Sequence, residues 1–91
     1  MEAAEVRKAL RQKSDAFDDE IEALIQSAIL DLKGAGVVNL DTADPLIKRA
    51  ITLYSRAHFG MGDPAVRKEY ERSYDKLKLH LSVSKDYNEV V

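Results

Sequence analysis

The chain has 91 residues, no cysteine, and 14 basic against 16 acidic side chains, for a formal net charge of −2. That length suits one domain (residues 1–91) and excludes a large self-sufficient core, because so small a domain buries only about 60–65% of the surface its unfolded chain exposes. Missing cysteine excludes zinc ribbons, Fe–S clusters, thiol catalysis and a disulfide framework, and the near-neutral charge argues against sequence-independent nucleic-acid binding, which needs a basic surface.

Residues 2–12 form the first helical segment, with Val6 and Leu10 one turn apart and Ala3 and Ala9 nearby. It is short, so it needs packing to persist. The second segment is stronger. Phe17, Ile21, Leu24, Ile25, Ala28, Ile29 and Leu32 recur at three- and four-residue steps, a core stripe of helical period. Ser14 or Asp15 is placed to cap its start, and Asp15, Asp18, Asp19, Glu20 and Glu22 set negative charge at the positive end of the helix dipole. Lys33 falls in the last turn, and Gly34 or Gly36 is suited to the left-handed conformation that ends a helix. At ~1.5 Å per residue this helix runs about 25 Å.

Residues 37–43 read as a loop. Asp44-Pro45 then gives an N-cap followed by proline at the first helical position, where its missing N–H costs nothing. The third helix spreads Leu46, Ile47, Ala50, Ile51, Leu53, Tyr54 and Ala57 over much of its circumference. Such a helix is central to a core or sandwiched by a partner. Gly60 closes it. After the turn Gly60-Met61-Gly62, Asp63-Pro64 opens a fourth helix with Val66, Tyr70, Ser73, Tyr74, Leu77 and Leu81 on one face. Arg67, Lys68, Glu71, Arg72, Asp75, Lys76 and Lys78 take the other. The helical body ends near residue 81, and residues 82–91, SVSKDYNEVV, have no helical period and read as an extended tail. The fold expected is all-α, a small bundle of about four helices with short turns.

The first twelve residues are charged and lack the apolar run of a signal peptide, and no run approaches the roughly 18–20 residues of a bilayer span. A cytosolic, reducing origin is expected. No catalytic constellation stands out. His58 and His80 lack partners at metal-ligand spacing, and Ser73 and His80 lie two turns apart, too far for direct proton transfer. Asp18, Asp19 and Glu22 make a Mg²⁺ site conceivable, since Asp18 and Glu22 share a helix face, but no phosphate-binding loop accompanies them; they read as a charge cluster. GMGD at 60–63 is neither a dinucleotide nor a P-loop fingerprint, since no strand precedes it and no GKS/T follows. Lys68, Arg72 and Lys76 at four-residue spacing admit a helix-turn-helix reader of the major groove. Glu69, Glu71 and Asp75 on the same helix oppose that reading. Tyr70 and Tyr74 read as core or interface residues. The residues alone thus stop at an interaction protein, and its charge is uneven. Residues 1–43 carry 5 basic and 9 acidic side chains, and residues 44–91 carry 9 and 7, so the halves sum to −4 and +2.

The run Asp44-Pro45-Leu46-Ile47-Lys48-Arg49-Ala50-Ile51, then Leu53-Tyr54 and Ala57-His58-Phe59-Gly60, resembles the tailed-phage head–tail connector (adaptor) family. So does Tyr70-Glu71-Arg72-Ser73-Tyr74-Asp75-Lys76-Leu77-Lys78, continuing through His80-Leu81-Ser82 to Asp86-Tyr87. The likeness covers roughly residues 5–88 and rests on the order and spacing of packing and turn signals. It implies a structural protein, not an enzyme, with no cofactor and no metal. It implies a ring of nominally twelve copies beneath the portal protein, extending the DNA channel and offering a platform to head-completion or tail-terminator proteins. DNA would pass without specific binding, and no membrane is involved. The site would be the virion head–tail junction, reached from the host cytoplasm during assembly. The family is often labelled as DNA packaging, and this chain has no Walker motif. Within that frame the tail, with Lys85, Asp86, Tyr87, Val90 and Val91, is the candidate portal-docking segment. Asp15, Asp18, Asp19 and Glu22 are candidate channel-facing acids. The alternative reading is a helix-turn-helix DNA-binding or packaging-initiation protein.

Overall fold

Three long helices, α2 (Asp18–Gly34), α3 (Pro45–His58) and α4 (Pro64–Val83), form the body, flanked by α1 (Ala3–Ala9) and a single turn, α5 (Lys85–Asn88). The computed structural model describes residues 1–60 and 62–89. Met61, Val90 and Val91 lie outside it, so the part of the tail assigned to Val90 and Val91 falls beyond the described residues. Among those residues there is no strand, and the all-α expectation holds.

Helix α3 is the hub, packing against α1, α2 and α4. Its buried residues Ile47, Ala50, Ile51, Leu53, Ser55 and Ala57 wrap more than half its girth, as its broad apolar surface predicts. Around it Ile21, Ile25, Ala28 and Leu32 of α2, Val6 of α1, Val37, Phe59, and Tyr74 and Leu81 of α4 complete one core. Ser55, the one polar residue buried in it among those described, satisfies its hydroxyl by donating to the Ile51 carbonyl a turn back (2.8 Å).

Both Asp-Pro starts behave as their sequence predicts. The Asp44 carboxylate accepts from the Leu46 N–H (2.8 Å) and the Ile47 N–H (3.3 Å), and Asp63 accepts from the Ala65 N–H (2.8 Å). The start of α2 does not. Neither Ser14 nor Asp15 caps it: Phe17 holds the N-cap position without a side-chain bond, and residues 14–17 form a turn. The Phe17 ring is fixed edge-to-face on Phe59, centroids 5.6 Å apart, and that contact draws the chain into the helix two or three residues late.

Helix α1 is shorter than the spacing predicts because Arg11 turns left-handed, φ 57°. Its N–H bonds the Lys8 carbonyl and the Gln12 N–H bonds the Arg7 carbonyl, the double closure of a Schellman end. Helix α2 closes in the same way, with Gly36 at φ 95° and Val37 buried beside Leu32. Gly60 does not supply the corresponding turn after α3. Phe59 leaves that helix in an extended conformation, and the positive φ belongs to Gly62 (111°).

Two further expectations change. Helix α4 runs past Leu81 to Val83, and residues 85–88 then form α5 where the sequence suggested an extended tail. On α4, Ser73 and Val66 are exposed, whereas Arg67 and Lys78 lean inward. An arginine or lysine stem buries readily along apolar surface, and Lys78 finds Asp31 for its charge (3.0 Å).

Candidate interaction surfaces

The chemistry-bearing residues do not converge. His58 is exposed and stacks on Tyr54 (4.3 Å between centroids), His80 and Ser73 are exposed, and among the described residues no group of three or more ligating side chains is placed to hold a metal ion. Asp18, one of the three acids of the conceivable Mg²⁺ site, is gripped by Arg7: Nε donates to Oδ1 at 2.9 Å and Nη2 to Oδ2 at 2.7 Å. This two-point clamp staples α1 to the start of α2.

A second polar knot joins α2 to α4. The Tyr74 hydroxyl donates to Asp31 Oδ2 (2.6 Å), which also accepts from Lys78 Nζ (3.0 Å), and Tyr54 closes edge-on against Tyr74. The Tyr74 bond holds the Asp31 carboxyl below the usual carboxylate range against the opposing effect of desolvation, with Lys78 helping. Desolvation, then the Asp31 charge, pushes the Tyr74 phenol far above the usual tyrosine range. Both groups are spent on structure.

The segment expected to dock is itself docked on the body. The Tyr87 hydroxyl donates to the Asp44 carboxylate at 3.0 Å, and the Tyr87 carbonyl accepts from the N–H groups of Val38 (2.8 Å) and Asn39 (3.1 Å). Asn39 donates its side-chain amide to the carbonyls of Asp86 and Glu89, and Asn88 donates to the Ser82 carbonyl at 2.9 Å. Desolvation pushes the Asp44 carboxyl up, but the Leu46 N–H, the Tyr87 hydroxyl and the Ile47 N–H together hold it below its ordinary value. Tyr87 is thus an internal anchor, while Lys85 and Asp86 face solvent. Nothing in the sequence marks Asn39 as the other half of this latch.

Asp15, Asp19 and Glu22 are exposed and form a charged edge around the start of α2, with Asp18 removed from it by Arg7. A groove of about 500 Å³ lies between the end of α1 and the facing ends of α3 and α4, walled by Arg11, Arg56, Phe59, Asp63, Arg67 and Tyr70. Arg56 lies over the Tyr70 ring (5.2 Å) and donates Nε to the Ala9 carbonyl (3.3 Å), while Arg67 Nε is buried without a partner. Sequence reasoning missed this arginine grouping, because its members come from three elements.

The outer faces of α2 and α4 are unpartnered. Asp19, Glu22, Ala23, Gln26, Leu30 and Lys33 are all exposed on α2, and Lys68, Arg72, Lys76, Leu79 and Val83 are all exposed on α4. Leu30, Leu79 and Val83 expose 67%, 65% and 68% of their surface, well above the next most exposed large apolar side chains described, Val38 (43%) and Val66 (42%).

The described residues form a helical body with large apolar side chains left exposed on its two outer helices. The family model for phage connector protein matches residues 4–88, from the first turn of α1 to the last residue of α5, and the chain belongs to that family. No curated protein and no solved structure matches it. The family is structural, and it sits at the virion head–tail junction. Among the described residues no helix is long and apolar enough to cross a membrane.

Proposed function

We propose that this protein is a structural subunit of the head–tail junction, working without turnover. Copies form a ring, nominally twelve, beneath the portal protein. The ring extends the DNA channel and presents a docking platform to a head-completion or tail-terminator protein. Assembly takes place in the host cytoplasm, and DNA passes through without specific binding. The observation that carries this reading is the connector match over residues 4–88, which takes in every helix.

The exposed outer faces of α2 and α4 support it, since a ring subunit must offer a surface to each neighbour. For the portal contact, Lys85 and Asp86 on α5 are the candidate residues, held in place by the internal anchoring of Tyr87. Removing residues 83–91 would also release the loop at 38–39, so a surface swap is the cleaner test. Lys85→Glu with Asp86→Lys should weaken portal binding while Tm stays unchanged; retained binding removes α5 from the contact.

Electron microscopy of the purified protein mixed with its cognate portal tests the whole reading. Rings seated on the portal are expected. Failure to bind the portal, together with tight, salt-dependent duplex binding lost on neutralising Lys68, Arg72 and Lys76, overturns it in favour of a DNA-binding protein.

A further inference from the structure

The outer faces of α2 and α4 match each other along their lengths. On α2 the acids Asp19 and Glu22 stand at the start, Ala23 and Gln26 follow, and Leu30 is exposed near the end. On α4 the bases Lys68, Arg72 and Lys76 come first, then exposed Leu79 and Val83. From Asp19 to Leu30 and from Lys68 to Leu79 the interval is the same, and at 1.5 Å per residue each covers about 16 Å of helix. If the two helices lie parallel in that register, Asp19 is level with Lys68 and Leu30 with Leu79, while Glu22 is level with Glu71 and reaches Arg72 one residue further on. Val83 then falls level with Gly34, where no atom lies within 4 Å of an added Cβ. An antiparallel arrangement holds either the charge match or the leucine match, not both in one register.

Within one molecule these faces cannot meet. Asp31 and Lys78, not Leu30 and Leu79, face one another across the α2–α4 seam (3.0 Å). Leu30 and Leu79 each stand next to these residues in sequence, about 100° further round their helices and turned outward. The matching surface must come from a second copy.

We propose that the α4 outer face of one copy packs on the α2 outer face of the next, parallel and in this register, with Leu30, Leu79 and Val83 at its centre. The contact is head-to-tail, joining two different patches, so it leaves a free patch at each end and closes only as a ring. It also places Asp19 and Glu22 between copies, in place of the channel-facing role that their charge alone suggests. The inference deepens the ring reading above and rests on it.

The absence of native cysteine makes a direct test clean. Leu30→Cys and Leu79→Cys chains are prepared separately, mixed and oxidised, because a disulfide forms only where Cα atoms come within about 7 Å. The mixture should yield the mixed Leu30–Leu79 disulfide, with little of either homodimer. A chain carrying both changes should give a ladder of covalent oligomers, not dimers alone. In parallel, Lys68→Glu, Arg72→Glu and Lys76→Glu together should weaken self-association in native mass spectrometry about tenfold or more, and adding Asp19→Lys with Glu22→Lys should recover it. Rings in native mass spectrometry or on the portal without the mixed disulfide, or with homodimers dominating, overturn the pairing and leave the ring intact. Monomers both free and on the portal overturn the ring reading and the pairing with it.

Discussion

Gly34 and Gly36, two residues apart at the end of α2, show how finely a helix end is decided. Either residue suits the role by type, but the positive φ falls on Gly36, with the Val37 N–H reaching the Leu32 carbonyl (3.1 Å) and both side chains buried. Gly34 stays helical, with open space where a Cβ would be. The two positions therefore respond oppositely to one substitution. Gly36→Ala forces a left-handed alanine and should cost about 1 kcal/mol, or roughly 4–8 °C in Tm. Gly34→Ala gains helix propensity and should stabilise by about 0.5 kcal/mol. Thermal melts by circular dichroism check both, and equal effects of the same sign would refute the assignment.

At the scale of elements, α5 is a turn of helix too short to persist alone. It exists because contacts distant in sequence hold it: Tyr87 on Asp44, and Asn39 on the carbonyls of Asp86 within α5 and Glu89 just after it. This latch also fixes the loop at 37–40 and braces the capped start of α3. Tyr87→Phe removes the hydroxyl and keeps the ring. Amide exchange at Val38 and Asn39 should accelerate several-fold while the amides within α2 and α3 stay protected, with only a small loss in Tm. Unchanged exchange at those two amides would show that the backbone bonds alone hold the loop. The same pattern explains α1, whose clamp Arg7–Asp18 and burial of Val6 supply what seven residues of helix cannot.

For the whole molecule, size and shape leave surface to spare. The accessible area is 5865 Å², against about 5300 Å² for a typical monomer of this mass. The body measures 39 × 26 × 18 Å. A core this thin depends on its polar knots, so global stability should follow their titration. Asp31 and Asp44 have lowered carboxyl pKa values in the folded state, so the stability they contribute is complete above about pH 4 and is lost as pH falls further. Tyr74 and Tyr87 have raised values, so theirs is complete below about pH 10 and is lost as pH rises. Tm should be flat between these limits and fall on both sides, and Tyr74→Phe should flatten the alkaline arm. Absorbance titration should find a tyrosine ionising well above the usual tyrosine range, and Tyr74→Phe should remove that step; an unchanged titration curve in Tyr74→Phe would refute the knot.

Local grammar was legible in the sequence: the helical period of α2, the broad apolar surface of α3 and both Asp-Pro starts. Each depends on residues within a turn or two of one another, where spacing alone dictates which side chains share a face. The order of those signals also carried the connector likeness. Only the tertiary structure decided the rest. Phe59 reset the start of α2, Asp44 and Asn39 folded the tail into α5, and Arg7 withdrew Asp18 from the acidic edge. Those partners lie 11 to 50 residues apart, and chain spacing does not specify which distant groups meet. The opposite charges of the two halves first described only a composition. Once α2 and α4 were placed on the outside of α3, they became two particular faces with a shared register.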